Sequence, residues 1–238
     1  MCITTLCNPV RLWGNTCLGG VAFLLLWCAT VCPSMAAENS ALAAVIDRIQ
    51  TSYDRTTALT ANFVQLATLT SIDRQQTSTG RLLIEKPHSI RWEYVQPEAQ
   101  TILYDGNLLQ IYTPKRRQVL QSPIDEKSRG DVALLFLAGV GKLRDAFMIT
   151  PLDATATSLH ALRLLPRSRQ AAFTELHITV NPTSYFIEQL KIYDTIGNVT
   201  DISLNTMATH TALPPRTFEL DLPPNTEILT PKDVSGQR

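Results

Sequence analysis

Beyond Cys32 the chain of 238 residues has no cysteine, since all five (Cys2, Cys7, Cys17, Cys28 and Cys32) lie near its start. The rest can therefore form no disulfide and no thiolate metal site. Charge is scarce in the same stretch, where Arg11 is the only charged residue before Glu38. The one long apolar run, Cys17 to Cys32, has Leu24-Leu25-Leu26-Trp27 at its centre. At about 16 residues it falls short of the roughly 20 that span a bilayer. Ser34-Met35-Ala36 then supplies small residues where a signal peptidase reads them. A basic start, a short apolar run and such a site predict a secretory signal peptide over residues 1–36, cleaved after Ala36. Lipidation of a cysteine is not expected, because Trp27 precedes Cys28 and Val31 precedes Cys32, and neither is small.

No charge of either sign prevails: 21 Lys and Arg balance 21 Asp and Glu, and loss of Arg11 leaves 20 against 21. Without a basic footprint the chain is not read as a nucleic-acid binder, and nothing predicts strong attraction to anionic lipid. No second apolar run is long enough to span a membrane. Residues 37–230 are predicted to form a single domain with a substantial core, followed by a polar tail over 231–238.

Catalytic signatures are also missing. The chain has no nucleophile elbow, no phosphate-binding glycine loop and no metalloprotease helix. Its four histidines, His88, His160, His177 and His210, fall in different predicted elements without ligand spacing. His160 and His177 are read as able to face each other across neighbouring strands, the ordinary placement of histidines on a solvated sheet face. Asn198-Val199-Thr200 matches a glycosylation acceptor but sits in a turn that uses Asn for its own geometry. The expectation is no enzyme, no metal and no cofactor.

What the chain does have is strand. In Leu82 to Pro114, Ile90, Trp92 and Tyr94 alternate with Arg91, Glu93 and Val95, the period of a half-buried strand. Lys86-Pro87, Gln96-Pro97 and Asp105-Gly106 punctuate the segment, and Asp105-Gly106 predicts a tight primed hairpin turn. Ahead of it, a helix is predicted over Ser40–Tyr53, capped by Asn39 or Ser40, with Leu42, Val45, Ile46, Ile49 and Tyr53 on one stripe. A strand is read over Thr60–Leu69, a loop over Asp73–Ser78 and a strand again over Thr79–Glu85. Val132, Leu134, Leu135, Phe136 and Leu137 predict a second helix, residues 131–138, that is apolar nearly all round and must cover something apolar. The second half reads as further strands at Gln118–Gln121, Ala146–Thr150, Leu159–Leu165, Ala171–Val180, Tyr185–Tyr193, Val199–Thr206 and Phe218–Leu222. So many short strands with local turns predict one antiparallel sheet that curls.

Three parts of this pattern resemble a known family. Thr60-Ala61-Asn62-Phe63-Val64-Gln65 after a helix, and the spacing of Lys86-Pro87, Trp92, Gln96-Pro97, Asp105-Gly106 and Tyr112-Thr113-Pro114, are similar to the periplasmic lipoprotein carrier proteins, the LolA family. Phe218 to Pro224 resembles that family's C-terminal strand. The resemblance implies an α+β fold, an unclosed antiparallel β-barrel (half-barrel) with short helices forming a lid over an apolar cavity. It implies a soluble periplasmic monomer that shelters lipoprotein acyl chains. Such a protein is loaded by an inner-membrane lipoprotein-releasing ABC transporter and unloaded to an outer-membrane acceptor lipoprotein.

Phe63, Ile90, Trp92, Tyr94, Ile111, Phe173 and Phe218 are then the expected cavity lining, and Leu134, Leu135 and Phe136 the expected lid contacts. Lys86 stands where the family commonly has an Arg that holds the lid, and Lys keeps the charge without the planar fork. Ile90 stands where the family has an aromatic that docks the release complex. These departures leave room for a paralogue carrying another lipid or glycolipid, or for a periplasmic lipoprotein-sensing module. A secreted hydrolase without a recognisable motif is a further alternative.

Overall fold

A 21-residue helix, α1 (Met35–Arg55), leads into twelve strands that hydrogen-bond into one sheet. The structure is a computed structural model and describes residues 35–124, 142–153, 159–168 and 172–231. Most of the predicted signal peptide and the predicted helix 131–138, with Leu134, Leu135 and Phe136, lie outside the described residues. All described residues belong to the compact unit Met35–Arg238.

The strands are β1 (Ala58–Leu69), β2 (Arg74–Glu85), β3 (Ser89–Gln96), β4 (Gln100–Tyr104), β5 (Leu108–Thr113), β6 (Gln118–Pro123), β7 (Phe147–Pro151), β8 (Ala161–Pro166), β9 (Phe173–Val180), β10 (Ile187–Asp194), β11 (Val199–His210) and β12 (Glu227–Leu229). Their order is β12-β6-β5-β4-β3-β2-β1-β11-β10-β9-β8-β7, so β12 and β7 are edges that do not pair with each other. Every pairing is antiparallel except β12 with β6. The fold is thus an unclosed antiparallel half-barrel. A four-residue helix, α2 (Leu143–Ala146), precedes β7.

Alternation along each strand sends one set of side chains to the inner face. Register places Ala61 opposite Leu82, Leu82 opposite Trp92, and Ile84 opposite Ile90, and all are buried. On the other wing Ile202, Leu190, Ile178 and Leu162 form a matching buried row. The stripe on α1 closes over this face, with Ile46, Ile49 and Tyr53 buried in the same core.

Five expectations need correction. α1 starts at Met35 rather than Ser40 and runs through Asn39 and Ser40, which therefore do not cap it. Its first residues, Met-Ala-Ala-Glu, are good helix formers that extend the element. The predicted loop over Asp73–Ser78 is strand from Arg74 onward, because pairing with β1 from Arg74 to Glu85 overrides its polar composition.

The predicted hairpin turn is present but its centre is shifted by one residue from Asp105-Gly106: the Asp105 amide donates to the Leu108 carbonyl at 3.3 Å, which leaves Gly106 and Asn107 as the two central residues. Asp105 Oδ1 accepts from the amides of Asn107 and Leu108, both at 2.9 Å. Gly106 supplies the positive φ of 106°. His160 and His177 do not face each other, since Arg163 opposes His177 while His160 lies beside Val180. Each histidine has an aromatic neighbour instead, Tyr185 for His160 and Tyr193 for His177.

Finally, Phe218–Leu222 is not a strand. Arg91 Nη1 donates to the carbonyls of Thr217 (2.9 Å) and Glu219 (2.8 Å), so a side chain takes acceptors that a ladder would use. The last strand is β12, held beside β6 in part by Gln118 Nε2 donating to Glu227 Oε2 at 2.7 Å.

Candidate functional site

The inner face of β1–β5 is built around three aromatic rings. Phe63 lies 4.7 Å from Trp92 and 5.0 Å from Tyr94 between ring centroids, and Trp92 lies 6.4 Å from Tyr94. Such pairs each add about 0.5–1.5 kcal/mol beyond the area they bury. Gly80 makes the arrangement possible. It pairs with Phe63 on one side and Tyr94 on the other, and a β-carbon there would overlap the Glu93 carbonyl oxygen and come within 2.8 Å of Phe63.

α1 seals this wall. Its Ile49 is fully buried, and only about 10 Å³ remains open between Tyr53, Leu59, Ile84 and Lys86. Where α1 lies on the sheet the wall is packed rather than open, with Ile49, Trp92 and Phe63 at 0–1% exposure.

Polar ties fix α1 between Ala43 and Tyr53. Lys86 Nζ donates to the carbonyl of Tyr53 in the last turn of the helix, which also accepts from the Thr56 amide at 3.1 Å. Burial pulls the Lys86 ammonium below its ordinary range, and nearby Asp54 pulls it partly back. The Tyr53 hydroxyl accepts from the Ile187 amide at 3.2 Å. Burial pushes that phenol up to about 12, against the opposing effect of the Ile187 bond. On the other flank, Gln50 Oε1 accepts from the Leu143 amide at 3.0 Å. Arg144 Nη2 donates to the Ala43 carbonyl and to Asp47 Oδ1, each at 2.8 Å. Arg48 Nη1 donates to the Tyr185 hydroxyl at 3.0 Å.

Phe63, Ile90, Trp92 and Phe173 are buried in one core, with Tyr94 half-buried against it. Ile111 opposes Ile102 and so shares the inner face, but it is half-buried and outside that core. Phe218 sits on the C-terminal segment, half-buried and also outside the core. Ile90 is only 4% exposed, so with α1 in place it presents no surface to a partner.

Two further spaces were not foreseen. One, of about 400 Å³, lies on the outer face between Arg81, Leu83, Arg91 and Glu93 of the sheet and Pro215 to Asp221 of the C-terminal segment. The other, of about 370 Å³, lies on the inner face beyond Tyr94 and borders Gln65, Ser78 and Gln100. Finding either requires strand register, which no local signal in the sequence supplies.

Residues 54–221 match the family described as outer membrane lipoprotein carrier protein LolA. The chain belongs to the LolA family. Relatives named outer-membrane lipoprotein carrier protein include one from Azotobacter vinelandii, 26% identical over 220 residues, covering 92% of this chain and 99% of the relative. Another, from Neisseria gonorrhoeae, is 26% identical over 200 residues, covering 84% and 94%. Among solved structures, a LolA superfamily protein of Nitrosomonas europaea matches at 12% identity and a TM-score of 0.44, covering 76% of this chain and 98% of that one. The lipoprotein LppX of Mycobacterium tuberculosis matches at 8% identity and a TM-score of 0.44, covering 74% and 100%.

Proposed function

We propose that this LolA-family chain is a soluble periplasmic carrier, exported by a cleaved signal peptide, that shelters lipoprotein acyl chains between the inner and outer membranes. An inner-membrane ABC transporter loads it, an outer-membrane acceptor lipoprotein unloads it, and no covalent step is involved. The observation that carries the reading is the seat of α1: an apolar helix face on an apolar wall, held at its end by Lys86. An acyl chain can replace the helix face contact for contact, and each buried CH₂ contributes about 0.8 kcal/mol. Ile90, Trp92 and Phe63 line the space that opens when α1 moves. Only then does Ile90 become available to a partner.

The test is displacement of an environment-sensitive apolar dye from the purified protein by a triacylated peptide. Displacement at micromolar peptide supports the reading, and failure of every acylated ligand to displace the dye overturns it. Lys86→Ala removes the tie to Tyr53. Dye uptake should then quicken by on the order of tenfold, which is ~1.4 kcal/mol in the closed-to-open balance. An unchanged rate removes Lys86 from the latch.

A further inference from the structure

The inner face of β1–β5 changes character at one level. Along β1, Ala61 and Phe63 give way to Gln65; along β2, Ile84 and Leu82 give way to Ser78; along β4, Tyr104 and Ile102 give way to Gln100. Register lines these up: Gln65 opposes Ser78, and Tyr94 opposes Gln100. Tyr94 donates its hydroxyl to Gln65 Oε1 at 3.0 Å, and Gln100 Nε2 reaches Thr113 Oγ1 at 3.4 Å. The result is a belt of amide and hydroxyl groups across the wing, bordering the space of about 370 Å³. On the opposite wing the corresponding row, Ile202, Leu190, Ile178 and Leu162, is apolar and buried.

One buried group beside this belt lacks a partner, and a second borders the space. Ser78 is 4% exposed and lines it. The indole Nε1 of Trp92, a residue with 0% exposure, has no acceptor of suitable geometry, although it lies close enough to the Tyr94 hydroxyl to favour its ionised form. A buried donor without an acceptor costs roughly 1–3 kcal/mol, and native proteins keep few of them. Tyr94 beside the indole borders the space, and the Ser78 and Thr113 hydroxyls that line it suit a ligand that brings carbonyl oxygens.

We propose that this belt is a subsite for the ester- and amide-bearing head of a lipidated peptide, whose acyl chains lie along the apolar rows beside it. The inference rests on the carrier reading and adds the chemistry of the head. Gln65, Ser78, Gln100 and Thr113 are neutral. Of the charged groups on the rim, Glu98 is paired with Lys115 at 3.5 Å and Arg116 is exposed. A phosphate would meet one solvated arginine beside a carboxylate, which is a poor anion site. Ester and amide groups leaving water require hydrogen-bonding partners, and the belt provides them without a charge to desolvate.

The experiment compares dye displacement from the full chain by a triacylated peptide, a free fatty acid of the same chain length, phosphatidic acid and a glycolipid with the same chains. Wild type should bind the peptide most tightly. Gln65→Leu should weaken the peptide by roughly fivefold to tenfold, the size of one hydrogen bond, and leave the fatty acid unchanged. Should Gln65→Leu fail to fold, Gln100→Leu on the opposite wall carries the same test. Equal loss for peptide and fatty acid, or no loss for either, overturns the head subsite while leaving the carrier reading intact. Preference for the glycolipid or for phosphatidic acid overturns the ester and amide assignment. No displacement by any acylated ligand fells the carrier reading itself.

Discussion

The two faces of β2 and β3 are both covered by chain outside the sheet, but by opposite chemistry. On the inner face, Leu82, Ile84, Ile90 and Trp92 meet the apolar stripe of α1, and about 10 Å³ stays open between α1 and the sheet at Tyr53 and Ile84. On the outer face, Arg81, Arg91 and Glu93 meet the segment Pro215 to Asp221 across about 400 Å³ of charged groove. The outer cover is tied through polar groups, by Arg91 to two carbonyls and by Glu85 Oε1 accepting from the Leu213 amide at 3.0 Å. The inner cover is held mainly by apolar area, with polar ties between Ala43 and Tyr53 of α1. Lipid can substitute for the first kind of contact and not for the second. On the proposed carrier reading, cargo would compensate an opening on the inner face, whereas an opening on the outer face would only expose wet polar groups.

The comparison breaks most readily at Trp92. Trp92→Ala removes a fully buried ring from the inner wall and should cost about 3–5 kcal/mol, read as a lower urea midpoint. A loss under about 1 kcal/mol would show that the inner wall is loosely packed and that the two covers do not differ in kind.

Alkaline pH probes the same wall without mutation. Burial holds Tyr53 at about 12 in the folded chain. A phenol raised above its unfolded value binds its proton more tightly when folded. Its contribution is complete below about pH 10 and is lost as pH climbs through 12. The loss for Tyr53 is at most about 3 kcal/mol, at 1.36 kcal/mol per pH unit. Tyr94, also pushed up to about 12 by burial, adds to it in the same window. Urea unfolding followed from pH 9 to 12, with tyrosine absorbance recorded alongside, should show stability falling together with late ionisation. Tyr53→Phe should flatten that slope. It also leaves the Ile187 amide unpaired, at about 1–3 kcal/mol. A slope unchanged in Tyr53→Phe would mean that α1 is not what buries the phenol.

The inner half of this contrast was legible in the sequence, and the outer half was not. The alternation of Ile90, Trp92 and Tyr94 and the stripe Ile46-Ile49-Tyr53 are periodic signals, and each marks the face that the structure buries. Arg91 occupies an outward position in that alternation and reads as a solvated strand residue. Its hold on Thr217 and Glu219 spans more than a hundred residues of sequence and leaves no periodic trace. The same limit applies to the belt: Gln65, Ser78 and Gln100 are unremarkable singly, and only strand register makes them neighbours. Phe218 was misread because a short apolar run before Pro223-Pro224 looks like a strand, whereas Arg91 draws its backbone out of the ladder. β12 escaped notice because three residues, Glu227 to Leu229, carry too little pattern to announce a parallel pairing.

The smallest expected effect sharpens the comparison most. Arg91→Ala deletes the bonds to Thr217 and Glu219 and the ion pair with Glu93, whose side chains are about a fifth and a quarter exposed. Partly solvated ties of this kind contribute little, so global stability should fall by no more than about 1–2 kcal/mol. The change should appear locally, as faster hydrogen exchange or proteolysis over residues 213–222, because that segment depends on these bonds and on Leu213 for its place. Acyl-peptide binding should be unaffected, since in the proposed carrier cargo would take the place of α1 on the other side of the sheet. If Arg91→Ala weakens cargo binding as much as an inner-face substitution does, the two covers are coupled through β2 and β3. Release of the C-terminal segment would then be part of the opening rather than separate from it.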